Sequence, residues 1–127
     1  MKILAILVGG GIGSLTRYGL FMLIQRPAGA DFPMGTLAAN LLGCLLIGFL
    51  WGSFETTRLA NEWRLLIFTG FLGGLTTFST IIWETIQLAQ TGATRTALLY
   101  LGMSNTLGIA LAVAGHGLAR RLQPFGG

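Results

Sequence analysis

The apolar positions of this chain are not spread as a stripe along one helix face or alternated as in a half-buried strand. They fall into four nearly continuous runs, at residues 3–24, 33–54, 65–88 and 97–118. A segment that is apolar all round belongs in a large core or in lipid. At about 22 to 24 residues and 1.5 Å per residue, each run is long enough to cross ~30 Å of hydrocarbon. The stretches between them, residues 25–32, 55–64 and 89–96, collect turn formers such as Pro27, Gly29, Asp31, Asn61 and Gly92. No internal repeat or low-complexity tract divides the chain. The pattern therefore predicts an all-α fold, a four-helix transmembrane bundle occupying residues 1–127 as one domain.

The third run carries an interruption. Residues 73–80 read Gly-Gly-Leu-Thr-Thr-Phe-Ser-Thr, glycines and hydroxyls at membrane depth. An unpaired backbone group in lipid costs several kcal/mol, so a broken helix survives there only against protein or a water-filled cavity. Such breaks in membrane proteins line ion sites. A broken third helix and a transport function are the leading expectations.

Composition agrees with the membrane reading and narrows the chemistry. With 53% hydrophobic and only 9% charged residues, the chain falls outside soluble composition, in which about a quarter of residues are charged. The net charge of +4 comes mainly from helix ends, which suits snorkelling to lipid phosphates and not a nucleic-acid surface. For an even number of spans, Lys2, Arg58, Arg64, Arg120 and Arg121 share one side, against Arg26 and Arg95 on the other, with Arg17 near its helix end. This bias is weak and leaves insertion in both orientations open. Cys44 is the only cysteine and His116 the only histidine. Neither has a partner at metal-ligand spacing, so Cys44 reads as a packing residue and His116 as an interfacial polar tip.

Small residues indicate how helices approach. Gly9 and Gly13, Gly48 and Gly52, and the set Gly108, Ala112 and Gly115 each fall at spacings that put them on one helix face. Polar residues within the spans mark function, because each is expensive unless it meets a partner or water. Thr36 and Asn40 lie one turn apart on the second span. Thr80, Glu84 and Gln87 follow the interruption at i, i+4 and i+7, with Thr77 one turn before, and Ser104, Asn105 and Thr106 cluster on the fourth. Arg17 is the one base well inside a span, placed for a structural role or for drawing anions into a vestibule. There is no nucleophile, base and orienter set, so no enzyme is expected. Glu84 admits a rival reading, a proton-coupled exporter of the small multidrug-resistance type. Those exporters place their acid in the first helix, and here that helix has Arg17 and no acid. A non-conducting scaffold held by its glycine faces is a third reading.

Three motifs carry a resemblance along the whole chain. They are Gly-Gly-Gly-Ile-Gly-Ser-Leu-Thr-Arg-Tyr at 9–18, Gly-Thr-Leu-Ala-Ala-Asn-Leu-Leu-Gly at 35–43 and Gly-Phe-Leu-Gly-Gly-Leu-Thr-Thr-Phe-Ser-Thr at 70–80. In this order on four spans, they resemble the CrcB/Fluc family of fluoride channels. The resemblance implies passive export of fluoride from the cytoplasm through a multi-pass protein of the cell (inner) membrane. It also implies an antiparallel, dual-topology homodimer with two pores and a central structural sodium ion. By that resemblance the backbone carbonyls of Gly73 and Thr76 hold the sodium. Phe78 and Asn40 line the pore with a track of hydroxyls that maps to Ser79 or Thr80 and to Ser104; Thr36 and Glu84 join this pathway as the polar residues that share its helix faces. Amide and hydroxyl donors replace the water a fluoride ion sheds, and the positive edge of a phenyl ring attracts an anion without holding it too tightly. The chain departs from the family pattern at Ile81, where a second phenylalanine is usual. The expectation is a weakened anion position and altered throughput or selectivity.

Overall fold

The computed structural model describes residues 1–25 and 32–123, and four helical spans account for nearly all of them. The first helix runs Lys2–Ile24, the second Met34–Phe54 and the fourth Thr94–Leu122. The third span covers Asn61–Gln90 and is assembled from several pieces. It begins four residues earlier than the hydropathy pattern suggested, because Asn61, Glu62 and Arg64 form a polar first turn that continues directly into the apolar run. The fourth helix likewise extends past its apolar stretch at both ends, carrying Arg120 and Arg121 in its last turn. Of the turn formers predicted between the first two helices, Pro27, Gly29 and Asp31 lie outside the described residues, as does Arg26.

Glycine sets the helix pairing. The first helix runs alongside the opening half of the third span, and a Cβ at Gly9 would overlap the Leu66 carbonyl while one at Gly13 would overlap that of Phe71. From the facing side, a Cβ at Gly70 would lie 2.9 Å from Gly9 Cα. The second and fourth helices mesh in the same manner. Gly48 receives the Ala112 carbonyl, Gly115 receives the Leu45 carbonyl, and Cys44 Sγ would lie 3.1 Å from a Cβ at Gly108. Between helices in lipid there is no hydrophobic drive beyond what the tails already offer. Close backbone approach and its dispersion contacts supply the association instead.

The third span departs from an α-helix twice. Leu65–Leu72 is π-helical, with i→i+5 bonds, where it lies against the glycines of the first helix. One α-helical turn, Gly73–Leu75, follows. Thr76 (φ −97°, ψ 156°) and Thr77 (φ −151°, ψ 121°) are then extended, and helix resumes at Phe78–Gln90. Thr77 caps this second half, its hydroxyl accepting from the Thr80 N–H. That is the local reason the helix restarts there: a threonine side chain satisfies one of the four N–H groups a new helix end leaves unpaired.

The second half ends on Gly92, whose φ of 86° requires a residue without a Cβ. Gly92 N–H donates to Ala89 and Ala93 N–H to Leu88, and Leu88 packs near Ala93. This C-terminal cap turns the chain tightly into the fourth helix. It brings Leu88, Ile81 and Leu37 around Tyr100, which is completely buried and meets the Phe32 ring edge-on at 5.5 Å.

Candidate functional site

Several of the polar residues singled out from sequence, Asn40, Thr36, Thr80 and Glu84 among them, gather around the two extended threonines. Asn40 reaches across from the second helix and pairs with the Thr77 backbone in both senses: Thr77 N–H donates to Asn40 Oδ1 at 2.7 Å, and Asn40 Nδ2 donates to the Thr77 carbonyl at 3.0 Å. At 8% exposure this side chain is nearly sealed from solvent. In an uninterrupted helix the Thr77 N–H would close on the Gly73 carbonyl, and the Thr80 N–H on that of Thr76. Here the first goes to Asn40 and the second to the Thr77 hydroxyl. Both carbonyls are thereby released from helix bonding, and Gly73 is exposed.

Two clefts open on either side of this clamp. One, about 350 Å³, collects Asn40, Gly73, Thr76, Phe78, Ile81 and Ser104. Phe78 is 70% exposed on its rim. The other, about 390 Å³, has Ser14 and Arg17 on one wall and Thr36, Thr77, Thr80 and Glu84 on the other. The residues proposed from sequence are thus divided between two faces of one break, with Thr77 lining both. Arg17 is half-buried and has no hydrogen-bond or ion-pair partner among the described residues, so its charge is directed at the second cleft. Ser79 lines neither cleft. Its hydroxyl lies 3.4 Å from that of Thr77 on an exposed surface.

Glu84 is tied on both oxygens. Thr36 Oγ1 donates to Oε1 at 2.8 Å, and the Tyr100 hydroxyl donates to Oε2 at 2.7 Å. Three spans meet at this carboxylate, which also borders a further cleft of about 480 Å³ lined by Phe21, Gln25, Gln87 and Thr91. Thr77 Oγ1 donates to Thr80 Oγ1 at 3.0 Å, extending the row of hydroxyls toward Glu84. Tyr100 is a partner of Glu84 that the sequence does not single out. A tyrosine one turn into the fourth apolar run, sixteen positions from the only acid of the third run, was the available signal.

On the fourth helix the polar cluster is turned inward upon its own backbone. Ser104 Oγ donates to the Tyr100 carbonyl at 2.7 Å, and Asn105 Nδ2 to that of Leu101 at 2.9 Å. Ser104 still borders the Phe78 cleft, but its hydroxyl proton is committed. Ile81 is 8% exposed and faces both that cleft and the Tyr100 core. Outside the break, His116 Nε2 lies 2.8 Å from Glu55 Oε1 at the bundle end, a polar pair in keeping with an interfacial position. Among the described residues no group of three or more His, Cys, Asp or Glu side chains could hold a metal ion.

Residues 4–116 match the family described as CrcB-like protein, Camphor Resistance. The chain is similar to the "Fluoride-specific ion channel FluC" of Desulfotalea psychrophila, 45% identical over 121 residues that make up 95% of this chain and 94% of that one. It is similar to proteins of the same description from Nitratidesulfovibrio vulgaris, 44% identical over 120 residues (94% and 97% of the two chains), and from Thermus thermophilus, 44% identical over 121 residues (95% and 97%).

Proposed function

Because this chain belongs to the CrcB family, whose curated relatives are fluoride-specific ion channels, we propose that it conducts fluoride out of the cytoplasm by passive electrodiffusion. It is a multi-pass membrane protein and a channel, not an enzyme. The observation that carries the proposal is the Asn40 clamp on Thr77, which holds the third span open beside the exposed Phe78 ring.

The chemistry asked of such a site is to strip water from a small, strongly hydrated anion and give it donors in exchange. Asn40 spends its oxygen and one N–H on Thr77, and its second N–H is left for an ion beside the ring edge of Phe78. Thr77, Thr80 and Thr36 line the other face; Thr77 gives its proton to Thr80 and Thr36 gives its own to Glu84, which leaves the Thr80 hydroxyl as the donor there, with Arg17 giving the entrance a positive potential. Ser79 and Ser104 are weaker members of the pathway, since the first lines neither cleft and the second donates to its own helix. Glu84 belongs to the row as an anchor: with both oxygens accepting from hydroxyls, it favours a fixed strut over a carboxylate that cycles protons, and nothing favours the exporter reading.

The family resemblance also brings an antiparallel, dual-topology homodimer in the inner membrane with sodium at its centre. The residues fit that ion. A hard cation takes oxygen ligands, and the carbonyls of Gly73 and Thr76 have lost their helical donors next to an exposed face. Bound there with the same carbonyls of a second chain, sodium would neutralise their partial negative charge. Phe78, exposed in one chain, would then be covered by the other.

The test is efflux from liposomes holding the purified protein, with matched pH inside and out. Fluoride should leave and chloride should not. Absence of fluoride flux, or flux only under a proton gradient, overturns the proposal. Ile81→Phe in the same assay tests the departure at that position, and an unchanged rate removes the expectation that isoleucine weakens an anion site.

A further inference from the structure

One end of the bundle carries most of the chain's basic residues around a built concavity. The end is defined by the start of the first helix, the close of the second, the beginning of the third span and the last turn of the fourth, where Gln123 donates to the Gly52 and Ser53 carbonyls. Lys2, Arg58, Arg64, Arg120 and Arg121 all belong to it, against Glu55 and Glu62. Among the described residues the only ion pair there is His116 with Glu55, so neither Arg58 nor Arg64 is neutralised by a carboxylate.

Arg58 and Arg64 border a polar cleft of about 570 Å³ together with Thr56, Thr57 and Glu55, the last already engaged by His116. Arg64 and Glu55 also border a second slot, about 190 Å³, walled by Trp51, Phe54 and Phe68. The Trp51 and Phe68 rings meet edge-to-face at 5.3 Å. Two guanidinium groups and two hydroxyls are therefore placed beyond the end of the apolar span, and an aromatic slot lies directly beneath, on the membrane side, with one arginine common to both. Guanidinium groups match phosphate oxygens bidentately, and tryptophan favours the headgroup level of a bilayer. The amphipathic sequence from polar cleft to aromatic slot is that of a phospholipid, phosphate above and acyl chain below.

We propose that Arg58, Arg64 and the Thr56–Thr57 hydroxyls form a binding site for the phosphate of an anionic phospholipid, whose acyl chain lies along Trp51 and Phe68. The charge left over at this end selects an anionic headgroup over a zwitterionic one. The site is separate from the Asn40–Thr77 clamp and involves no residue of the ion pathway.

The test is lipid binding by the purified protein in detergent, with phosphatidylglycerol and phosphatidylcholine as probes and retained lipid read by native mass spectrometry. Phosphatidylglycerol should bind preferentially. An arginine near an anionic membrane surface is worth about fivefold in affinity, so Arg58→Gln and Arg64→Gln should each cost about that, and the pair roughly 25-fold. Arg120→Gln with Arg121→Gln removes the same charge from the same end outside the cleft and should cost far less. All four arginines are on exposed surface, and Thr57→Glu, also exposed, supplies an independent disruption that should expel the lipid. Equal losses from the cleft pair and the Arg120, Arg121 pair would reduce the effect to general surface charge and overturn the site. So would displacement of the lipid by millimolar inorganic phosphate, which would make free phosphate the ligand, or equal binding of the two lipids.

Discussion

Removing the Asn40 amide tests the central piece of geometry most directly. In Asn40→Ala the Thr77 N–H loses its acceptor at 2.7 Å and the Thr77 carbonyl loses a donor at 3.0 Å. A buried N–H left without a partner costs about 1–3 kcal/mol, and the second bond contributes about 1 kcal/mol, so the clamp is worth about 2–4 kcal/mol. The variant has two ways to respond. It can keep the extended threonines and lose that stability, or it can close the break, the Thr77 N–H returning to the Gly73 carbonyl and Phe78 turning with the helix. The first lowers the unfolding midpoint, and the second occupies a carbonyl assigned to sodium and moves the ring assigned to fluoride. Fluoride efflux should fall at least about tenfold on either route, equivalent to about 1.4 kcal/mol on the barrier. Asn40→Leu, of similar volume, separates the lost hydrogen bonds from a cavity and should behave like alanine. Unfolding followed by tryptophan fluorescence, beside liposome efflux, reads both quantities. Wild-type flux together with wild-type stability in both variants would refute the reasoning, since it would mean that the break holds itself open without Asn40.

Other outcomes follow from the packing and the polar links. Gly13→Ala and Gly48→Ala set a Cβ onto the Phe71 and Ala112 carbonyls and should destabilise the protein by several kcal/mol, whereas Gly11→Ala and Gly117→Ala meet nothing within 4 Å and should be neutral or stabilising by up to about 1 kcal/mol; thermal unfolding in detergent distinguishes them. Tyr100→Phe leaves Glu84 Oε2 without its 2.7 Å donor and should cost about 1.5–3 kcal/mol in the same measurement. Glu84→Gln keeps one oxygen to accept from a hydroxyl and turns an NH2 toward the other, which can accept by rotating its own proton away, so fluoride efflux should persist at matched pH, and its abolition would revive the exporter reading. Ile81→Phe enlarges a side chain only 8% exposed against the Tyr100 core, and a stability loss of about 1–3 kcal/mol should accompany whatever it does to flux.

How far the sequence could be read depended on where each interaction stores its information. The four spans were legible because hydrophobic length alone sets them, and the glycine faces because Gly9, Gly13, Gly48 and Gly115 leave a visible spacing. The extended pair Thr76 and Thr77 fell within the stretch singled out by its glycines and hydroxyls. The π-helical stretch Leu65–Leu72 was not foreseen, since an i→i+5 register follows from contact with the first helix and leaves no compositional mark. Asn40 was picked out as a donor to an ion, yet its principal partner is the Thr77 backbone, which has the same N–H and carbonyl as every other residue and so gives no sign in the sequence. Tyr100 was missed because its meaning lies in a carboxylate on another helix. Ser104 illustrates the converse, a polar residue conspicuous in the sequence whose hydroxyl serves its own backbone.

The glycine notches of the two helix pairs have a consequence for how ions must move. Carbonyls seated directly against glycine on both pairs act as detents: sliding either helix by one residue would drive a side chain into the opposing backbone. Each pair thus resists axial slip of one helix along the other. On the proposed channel reading, permeation needs no slip of either pair, and its rate should rise with temperature only as gently as free diffusion does.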